Sequence, residues 1–402
     1  MRIGQFTSQY PYPDQFDRGS DRAYFCSGAE RVVQRLAEGL ADRNHTVDVF
    51  TSGRGGETTV QNGVTVHRSA SLGAVGTTEV APGLLTRALS YDLDIVHAHN
   101  STPPGVVAGA IYAARRDVPF VVTHHGGEAY EPHGSALRRL GLWAYTNGVL
   151  GTLLRRATTV VLPTEGYLDV STALSGVEQV REIPNGVDPD AVTPAVDSAA
   201  LKRELGYAAD ETLFLYLGAL QERKGVDVLL DAFARFLAEI DGDARLVVAG
   251  SGPAGDRLRE RAAELGITDA VSFPGYIPES AKATYLRAAD AFVLPTTRPG
   301  VEMYPLVLGE AAAAGCPILC SDLPTLRAIL ADRDCADLVN PGDPDALAAA
   351  MGRLHDDDER RERYAANARR FAEETSWDDV CDDYESLYRE LLAAVPTAGG
   401  EA

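Results

Sequence analysis

Short runs of apolar, β-branched residues alternate with longer amphipathic stretches along most of the chain. Such short apolar runs predict strands that are buried on both faces. The predicted strands are residues 1–7, 46–51, 64–68, 94–98, 119–123, 158–162, 213–217, 244–249, 270–273, 290–294, 316–320 and 335–339. The stretches between them predict helices, for example at residues 28–43, 226–240, 255–265, 279–288, 306–314, 345–354 and 357–373. This alternation predicts an α/β protein with parallel sheets covered by helices.

The alternation runs twice, with a turn-rich stretch between the two series. Ile183-Pro-Asn-Gly-Val-Asp-Pro189 contains residues that break regular structure, so it predicts an inter-domain linker. We therefore expect two doubly wound domains, over residues 1–187 and 188–375. Ligands of such folds bind beyond the carboxyl ends of the strands, so both domains are expected to face a cleft. Apolar residues spaced three and four apart in the remaining segment, 376–402, predict an amphipathic helix that covers another surface.

Composition excludes some classes of protein and leaves the solvent environment open. The 402 residues are 45% hydrophobic and suffice for two or three domains with proper cores. The 58 Asp and Glu against 37 Lys and Arg give a net charge of −21, which disfavours nucleic-acid binding. The lysines are Lys202, Lys224 and Lys282. Many carboxylates with few lysines fit a halophilic protein or, equally well, an acidic protein from a GC-rich genome.

The cysteines and the hydropathy favour a cytoplasmic protein. The five cysteines are odd in number and match no metal-site spacing, so reduced thiols are expected at Cys26, Cys316, Cys320, Cys335 and Cys381. Pro-Ile-Leu between Cys316 and Cys320 predicts a buried strand instead of a metal-ligand pair. No apolar run reaches about 18 residues, so no transmembrane helix is expected. The chain opens directly on a predicted strand, so no signal peptide is expected either.

The strongest candidate for a ligand site is the loop and helix that follow the predicted strand at 290–294. Glu302 lies in the loop, and a helix starting near Pro305 would carry Glu310 in its second turn. Proline suits a first helical position, and the N–H groups of Leu306 and Val307 would then meet an anion at the positive helix end. Carboxylates on either side of a phosphate site suit the ribose and sugar diols of a nucleotide-sugar. The alternative is an ordinary helix start with solvated glutamates.

Arg223 and Lys224 stand in a turn that follows the predicted strand at 213–217. The turn reads Leu217-Gly-Ala-Leu-Gln-Glu-Arg-Lys-Gly225, and a predicted helix comes after it. Two adjacent cations at a strand end would neutralise a diphosphate leaving group. The alternative is an exposed basic turn.

Two segments of the first half place polar groups at element ends. Thr123-His-His-Gly-Gly-Glu128 follows an apolar strand, and one of its histidines could bond a substrate hydroxyl or donate a proton. The alternatives are a zinc pair or a structural histidine, but adjacent side chains on a strand point opposite ways and chelate one metal poorly. His97 and His99 flank another strand end. Gly28, after Ser27, opens the first helix and would let an anion approach its end.

Taken together, these segments resemble the retaining glycosyltransferases of family 4, the glycosyl transferases group 1, which have the GT-B fold. The matching segments keep the family's order over nearly the whole chain: Ser27-Gly-Ala-Glu-Arg-Val-Val33, Thr123-His-His125, Ile183-Pro-Asn-Gly-Val-Asp188, Lys224-Gly-Val-Asp227, Val248-Ala-Gly-Ser-Gly-Pro253, Phe273-Pro-Gly-Tyr276, Ala289-Asp-Ala-Phe-Val-Leu-Pro295 and Glu302 through Glu310. Only the Glu-x7-Glu segment is fairly specific by itself.

The resemblance implies a hexosyltransferase that moves sugar from a nucleoside-diphosphate donor to an acceptor hydroxyl and keeps the anomeric configuration. The product would be a glycan, glycolipid or lipid-linked oligosaccharide, and no metal or other cofactor is implied. The first Rossmann-like domain would bind the acceptor, the second the donor, and the C-terminal helix would cross back onto the first. The implied site residues are His125 and Glu302 at the donor sugar, Lys224 and Arg223 at the diphosphate, Glu310 at the ribose, Leu306, Val307, Met303, Tyr304, Tyr276, Ile277 and Gly218 around the nucleotide, and Ser27 and Gly28 in the acceptor and phosphate loop.

The sequence departs from the family pattern at three places, and two alternative functions are also open. Ala219 stands where arginine is common, Tyr304-Pro305 where Phe-Gly is usual, and Ser27-Gly28 where Gly-Gly is common. The alternatives are a GT-B nucleotide-sugar 2-epimerase and a non-catalytic nucleotide-sugar-binding protein.

The acceptor class depends on residues 135–156, which interleave arginine with Leu, Trp and Tyr. The arginines are Arg138, Arg139, Arg155 and Arg156. Such a surface would suit peripheral contact with anionic lipid at the cytoplasmic membrane face and a lipid-linked acceptor. The alternative is an ordinary amphipathic helix pair packed on the first domain.

Overall fold

The computed structural model describes residues 1–13, 15, 27–75, 78–100, 103–126, 140–141, 143–189, 198–240 and 243–395. These residues fall into two compact units. The first unit takes the described chain up to Asn185 and resumes at Trp377, and the second runs from Gly186 to Ser376.

Within the described residues, the first unit contains an eight-stranded sheet and a short two-stranded ribbon. The strands are β1 (Arg2–Phe6), β2 (Thr46–Gly53), β3 (Glu57–Gln61), β4 (Val64–Ala70), β5 (Ala74–Val75), β6 (Thr78–Glu79), β7 (Ile95–Asn100), β8 (Phe120–His124), β9 (Thr159–Leu162) and β10 (Val180–Glu182). The sheet order is β10-β9-β8-β7-β1-β2-β4-β3, and β5 pairs with β6. Pairing is parallel throughout the sheet except between β3 and β4.

The second unit, as far as it is described, has one sheet of six parallel strands. They are β11 (Thr212–Leu217), β12 (Ala244–Ala249), β13 (Val271–Gly275), β14 (Ala291–Leu294), β15 (Ile318–Ser321) and β16 (Ala336–Val339). Their order is β13-β12-β11-β14-β15-β16.

Helices separate the strands in both units. The α-helices are α1 (Gly28–Asp42), α2 (Leu84–Arg87), α3 (Pro103–Arg116), α4 (Gly151–Arg156), α5 (Ser198–Glu204), α6 (Val226–Leu237), α7 (Gly255–Glu264), α8 (Glu279–Ala288), α9 (Leu306–Ala313), α10 (Pro324–Leu330), α11 (Pro344–Asp356), α12 (Asp358–Glu373) and α13 (Trp377–Ala394). The predicted α/β class and parallel sheets are confirmed.

Every predicted strand forms, but β3, β10 and the two short strands β5 and β6 were not predicted from the hydrophobic pattern. β3 reads Glu-Thr-Thr-Val-Gln and lies at one edge of its sheet, where side chains remain in contact with water. β10 has three residues at the opposite edge. Edge strands need no continuous apolar run, because one side of each is unpaired and often solvated.

Helix α13 packs on the core of the first unit. Its apolar spacing predicts an amphipathic helix that covers another surface, as it does here. Val380, Tyr384 and Tyr388 are buried among the core residues contributed by α1 and the sheet. A side chain at Gly39 of α1 would bring its Cβ within 2.4 Å of the Cys381 sulfur, so the two helices approach closely there.

The cysteines of the described ranges lie in the protein interior. Cys316, Cys320, Cys335 and Cys381, the cysteines in the described ranges, are buried free thiols, and Cys26 lies outside those ranges. Cys320 lies in β15, as predicted for a buried strand. None of the described helices combines the length and the apolar character needed to cross a bilayer.

Leu387→Ala tests whether α13 is part of the first unit's core. Leu387 is 5% exposed in that core, whereas Leu72 is 79% exposed. We expect Leu387→Ala to lower the free energy of unfolding by about 2–5 kcal/mol. The matched control Leu72→Ala should stay within about 0.5 kcal/mol of the parent. Urea unfolding measures both, and equal effects would contradict this packing.

Candidate functional site

Glycines bring the main chain of neighbouring loops together where the strands of the second sheet end. Gly218 follows β11 and donates its N–H to Ala249 at 3.0 Å, and Gly250 after β12 donates to Gly275 at 2.7 Å. Gly250 has φ +137°, and a Cβ there would lie 1.8 Å from the Gly218 oxygen. A side chain at Gly250 would therefore separate these loops. At the carboxyl edge of this sheet, the main chains of neighbouring loops are therefore in direct contact.

The predicted Lys224 and Glu302 meet at this edge. The Lys224 Nζ lies 2.5 Å from the Glu302 Oε1, and the Thr296 hydroxyl donates to the same oxygen at 2.7 Å. The Thr325 hydroxyl donates to the Glu302 carbonyl at 2.6 Å. The Glu302 side chain is only 5% exposed, and its bonds to the lysine and the hydroxyl compensate for the hydration that it loses on burial.

Arg223 belongs to the same loop, and its side chain is tied locally. Its Nε donates to the Gln221 Oε1 at 2.9 Å, and its carbonyl accepts the Thr297 N–H at 3.2 Å. The bond to Thr297 fastens the loop after β11 to the loop after β14. The side chain is half-buried beside Lys224.

Helix α9 begins at Leu306, one residue later than its proline suggested. Pro305 is the N-cap, with an extended backbone (φ −67°, ψ 127°), so the expectation that it occupies the first helical position is wrong. Proline fixes φ near this value in either position, so both placements suit it. Leu306 and Val307 lie in the first turn, where N–H groups have no partner within the helix. Glu310 lies in the second turn, as expected.

Lys282 of α8 holds Glu310 and was missed in the sequence. Its Nζ lies 2.7 Å from the Glu310 Oε1 and 3.1 Å from the Glu279 Oε2. Burial disfavours the ammonium, but the charges of Glu310 and Glu279 and their hydrogen bonds outweigh it and raise the pKa of Lys282. The Glu310 Oε2 is buried and has no hydrogen-bond partner among the described residues. Because lysine is scarce in this sequence, the residue type alone could have identified Lys282 as a candidate, as it did for Lys224.

The other residues expected around the nucleotide differ in exposure. Met303, Tyr304 and Ile277 are buried, and Tyr304 and Ile277 are part of the core, so these three offer main-chain groups at most. Tyr276, just after β13, is 43% exposed.

Four histidines gather at the carboxyl edge of the first sheet. The His99 Nδ1 lies 3.1 Å from the His125 Nε2. His124 is 2.7 Å from the Asn100 side-chain amide and packs edge-on against Tyr167. The neighbours His124 and His125 thus have different partners, as expected for adjacent residues at a strand end.

Burial keeps three of these imidazoles, those of His97, His99 and His125, neutral. Burial lowers the pKa of His97 and of His125 to about 3, and a neighbouring histidine adds to the effect in each case. Burial, followed by His97 and His125, holds the pKa of His99 well below its ordinary value. A neutral imidazole has one nitrogen that donates a hydrogen bond and one that accepts, so such a ring can bind polar groups without carrying a charge.

The N-terminus of α1 is capped by a residue of its own first turn. Ser27 is the N-cap, and both its N–H and its hydroxyl bond the Glu30 Oε2, at 2.7 and 2.6 Å. Gly28 is the first helical residue and is exposed. The Glu30 carboxylate already complements the positive end of the helix.

Residues 135–156 are described only in part, and residues 135–139 and 142, with Arg138 and Arg139, lie outside the described ranges. Leu140, Trp143 and Val149 are exposed, whereas Leu150 and Leu154 are buried. Arg155 and Arg156 at the end of α4 are exposed.

Comparisons with known proteins agree along the chain. Residues 197–371 match the family model of Glycosyl transferases group 1, and residues 26–191 match that of Glycosyltransferase Family 4. A D-inositol 3-phosphate glycosyltransferase of Thermomonospora curvata is 30% identical, with 96% of this chain and 94% of the relative covered. A phosphatidyl-myo-inositol mannosyltransferase of Mycobacterium leprae is 29% identical, with 91% and 94% covered.

Solved structures share the fold. Sucrose-phosphate synthase of Thermosynechococcus elongatus superposes with a TM-score of 0.74 at 23% identity, over 98% of this chain and 99% of that one. Anabaena HepE in complex with UDP gives a TM-score of 0.75 at 21% identity, over 97% and 100%.

Gly225→Ala tests whether the loop that carries Lys224 needs its close approach to the next loop. Gly225 has φ +69°, and a Cβ there would lie 2.0 Å from the Pro295 oxygen. Gly266 has φ +71° with nothing within 4 Å, so it is a matched control. Gly266→Ala should cost about 1–2 kcal/mol for the backbone alone, and Gly225→Ala distinctly more. Thermal and urea unfolding compare them, and equal costs would contradict the clash.

Proposed function

Because the chain belongs to the group 1 glycosyltransferases of family 4, with the GT-B fold, we propose that it is a retaining hexosyltransferase whose donor is a nucleoside-diphosphate sugar. One observation carries the proposal. At the carboxyl edge of the second sheet, Lys224 binds Glu302 just before the start of α9, and Lys282 binds Glu310 in the second turn of that helix.

Glu310 is suited to bind the ribose. An ionised carboxylate only accepts hydrogen bonds, and a ribose diol supplies two O–H donors. Lys282 occupies the Oε1, whereas the buried Oε2 has no partner among the described residues. The exposed ring of Tyr276 would pack against the base.

The diphosphate is assigned to Arg223, Lys224 and the first turn of α9. The Lys224 ammonium has three donors, so it can keep Glu302 and still bond a phosphate oxygen. The N–H groups of Leu306 and Val307 add the positive end of a helix. These fixed groups would stabilise the charge that develops as the diphosphate departs, and we propose that they make a metal unnecessary.

In the proposed reaction the bond between the anomeric carbon and the diphosphate oxygen breaks, and the acceptor oxygen bonds the same face of that carbon. The acceptor proton passes to the departing phosphate. Glu302 is already bonded by Lys224 and Thr296, which suits a role in binding the sugar and does not suit a nucleophile. His125, neutral and near the strand end, would bond an oxygen of the sugar.

The acceptor is proposed from the names of the relatives. They describe enzymes that act on D-inositol 3-phosphate and phosphatidyl-myo-inositol, so we propose a cyclitol, free or lipid-linked. The exposed Leu140, Trp143 and Val149, followed by Arg155 and Arg156, would suit contact with an anionic lipid surface.

A transfer assay tests this function. Purified protein with EDTA is given UDP-, GDP- and ADP-hexoses together with inositol, inositol phosphate or phosphatidylinositol vesicles. We expect transfer with one donor, with an NMR signal showing that the first product keeps the donor's anomeric configuration. Inversion would contradict the retaining mechanism, and dependence on a metal would contradict the cation assignment. Turnover without acceptor would favour an epimerase, and nucleotide binding without turnover a non-catalytic protein.

Three variants assign roles within the same assay. Lys224→Ala should lower kcat by about 100-fold or more, because it removes charge stabilisation of the leaving group. Lys282→Met should mainly raise the donor KM, about tenfold, because Glu310 loses its partner. Arg203→Ala removes an exposed cation of the same unit and should change neither value. Normal turnover by Lys224→Ala would contradict the diphosphate assignment.

A further inference from the structure

His99 is fixed between two other histidines at the end of β7. It is fully buried, and its Nδ1 lies 3.1 Å from the His125 Nε2, with the two rings only 18° from parallel. The ring centroid of His97 lies 4.1 Å from that of His99. His99 therefore has little freedom to turn.

His97 is itself anchored by helix α13. Its Nδ1 lies 2.6 Å from the Tyr388 hydroxyl and its Nε2 lies 2.7 Å from the Thr123 hydroxyl. Thr123 in turn lies 2.8 Å from the Tyr384 hydroxyl. This buried network holds His97 and, through ring contact, limits the rotation of His99.

The hydrogen bond between His99 and His125 couples their tautomers. A neutral imidazole has one N–H and one bare nitrogen, and a bond between two neutral imidazoles contains one N–H. If His99 donates from Nδ1, His125 carries its own proton on Nδ1. If His99 accepts, the Nδ1 of His125 is bare. The low pKa values of His99 and His125 keep both rings neutral, so only these two arrangements arise.

The second nitrogen of His99 distinguishes the two arrangements. Its Nε2 is buried and has no partner among the described residues. Buried N–H groups without a partner are rarer than under-satisfied acceptors, so a bare Nε2 is favoured.

We propose that His99 is a positioning residue that donates from Nδ1 to the Nε2 of His125 and so presents the His125 Nδ1–H to an oxygen of the sugar substrate. This rests on the proposed function, which assigns His125 to the substrate. His99 touches no substrate itself. Its role is to fix the orientation of His125 and to make it a hydrogen-bond donor.

Two replacements of His99 separate the hydrogen bond from the shape of the ring. His99→Phe keeps a flat ring without nitrogen, and we expect it to lower kcat about tenfold with the donor KM unchanged, the effect of one lost hydrogen bond. His99→Asn keeps a nitrogen donor near the position of Nδ1 and should restore most of the rate. His45→Asn removes a histidine that contacts α13 through Glu385, away from the strand ends, and should keep the parent rate.

Nitrogen NMR of the imidazoles supplies a readout that a purely structural role would not change. The parent protein should show His125 protonated on Nδ1, and His99→Phe should show a mixture of tautomers. A bare Nδ1 at His125 in the parent protein would overturn the proposal even if the variants fail to fold. Equal rates for a folded His99→Asn and His99→Phe would also overturn it.

His125→Ala separates this proposal from the proposed function. Full transfer by His125→Ala would overturn the assignment of His125 to the substrate, and the positioning role with it. Loss of transfer by His125→Ala together with normal turnover by His99→Phe would overturn the positioning role alone.

Discussion

Parallel strand pairing is the constraint on which the whole candidate site depends. When strands run parallel, every strand ends at the same edge of the sheet, so the loops that follow them are neighbours. Lys224 follows β11 and Glu302 follows β14, and they meet because these two strands pair. His99 and His125 meet for the same reason at the ends of β7 and β8 in the other unit. Residues far apart in the chain are thereby brought into contact.

The cations at the strand ends contrast with the net negative charge of the whole protein. The net charge of −21 belongs to a surface rich in carboxylates. The lysines pair with carboxylates of the second unit: Lys224 with Glu302, Lys282 with Glu310, and Lys202 with Asp290 at 2.6 Å. Removing a carboxylate from water costs free energy, which a neighbouring cation offsets. Two of these pairs hold the glutamates of the Glu-x7-Glu segment in place. In the first unit burial instead lowers the pKa of His97, His99 and His125, which are neutral and exchange hydrogen bonds.

Sequence patterns predicted the elements and the glutamates because both depend on local order along the chain. The buried strands follow from continuous apolar runs, and Glu302 and Glu310 follow from one segment with a fixed spacing. The edge strands β3 and β10 lack such runs and were missed. Lys282 and the roles of His97 and His99 were missed or left secondary because their partners lie on other elements, and only strand order brings them together. The burial of Met303 and Tyr304 depends on the packing of α9, which loop spacing does not encode.

The central claim is that the carboxyl edge of the second sheet binds the nucleotide-sugar. Hydrogen exchange measured by mass spectrometry, with and without a saturating nucleoside-diphosphate sugar, tests it most directly. The account predicts slower exchange in residues 218–225, 275–282 and 302–310, with little change at the opposite ends of the same strands. Slower exchange confined to other segments, with the nucleotide bound, would contradict it.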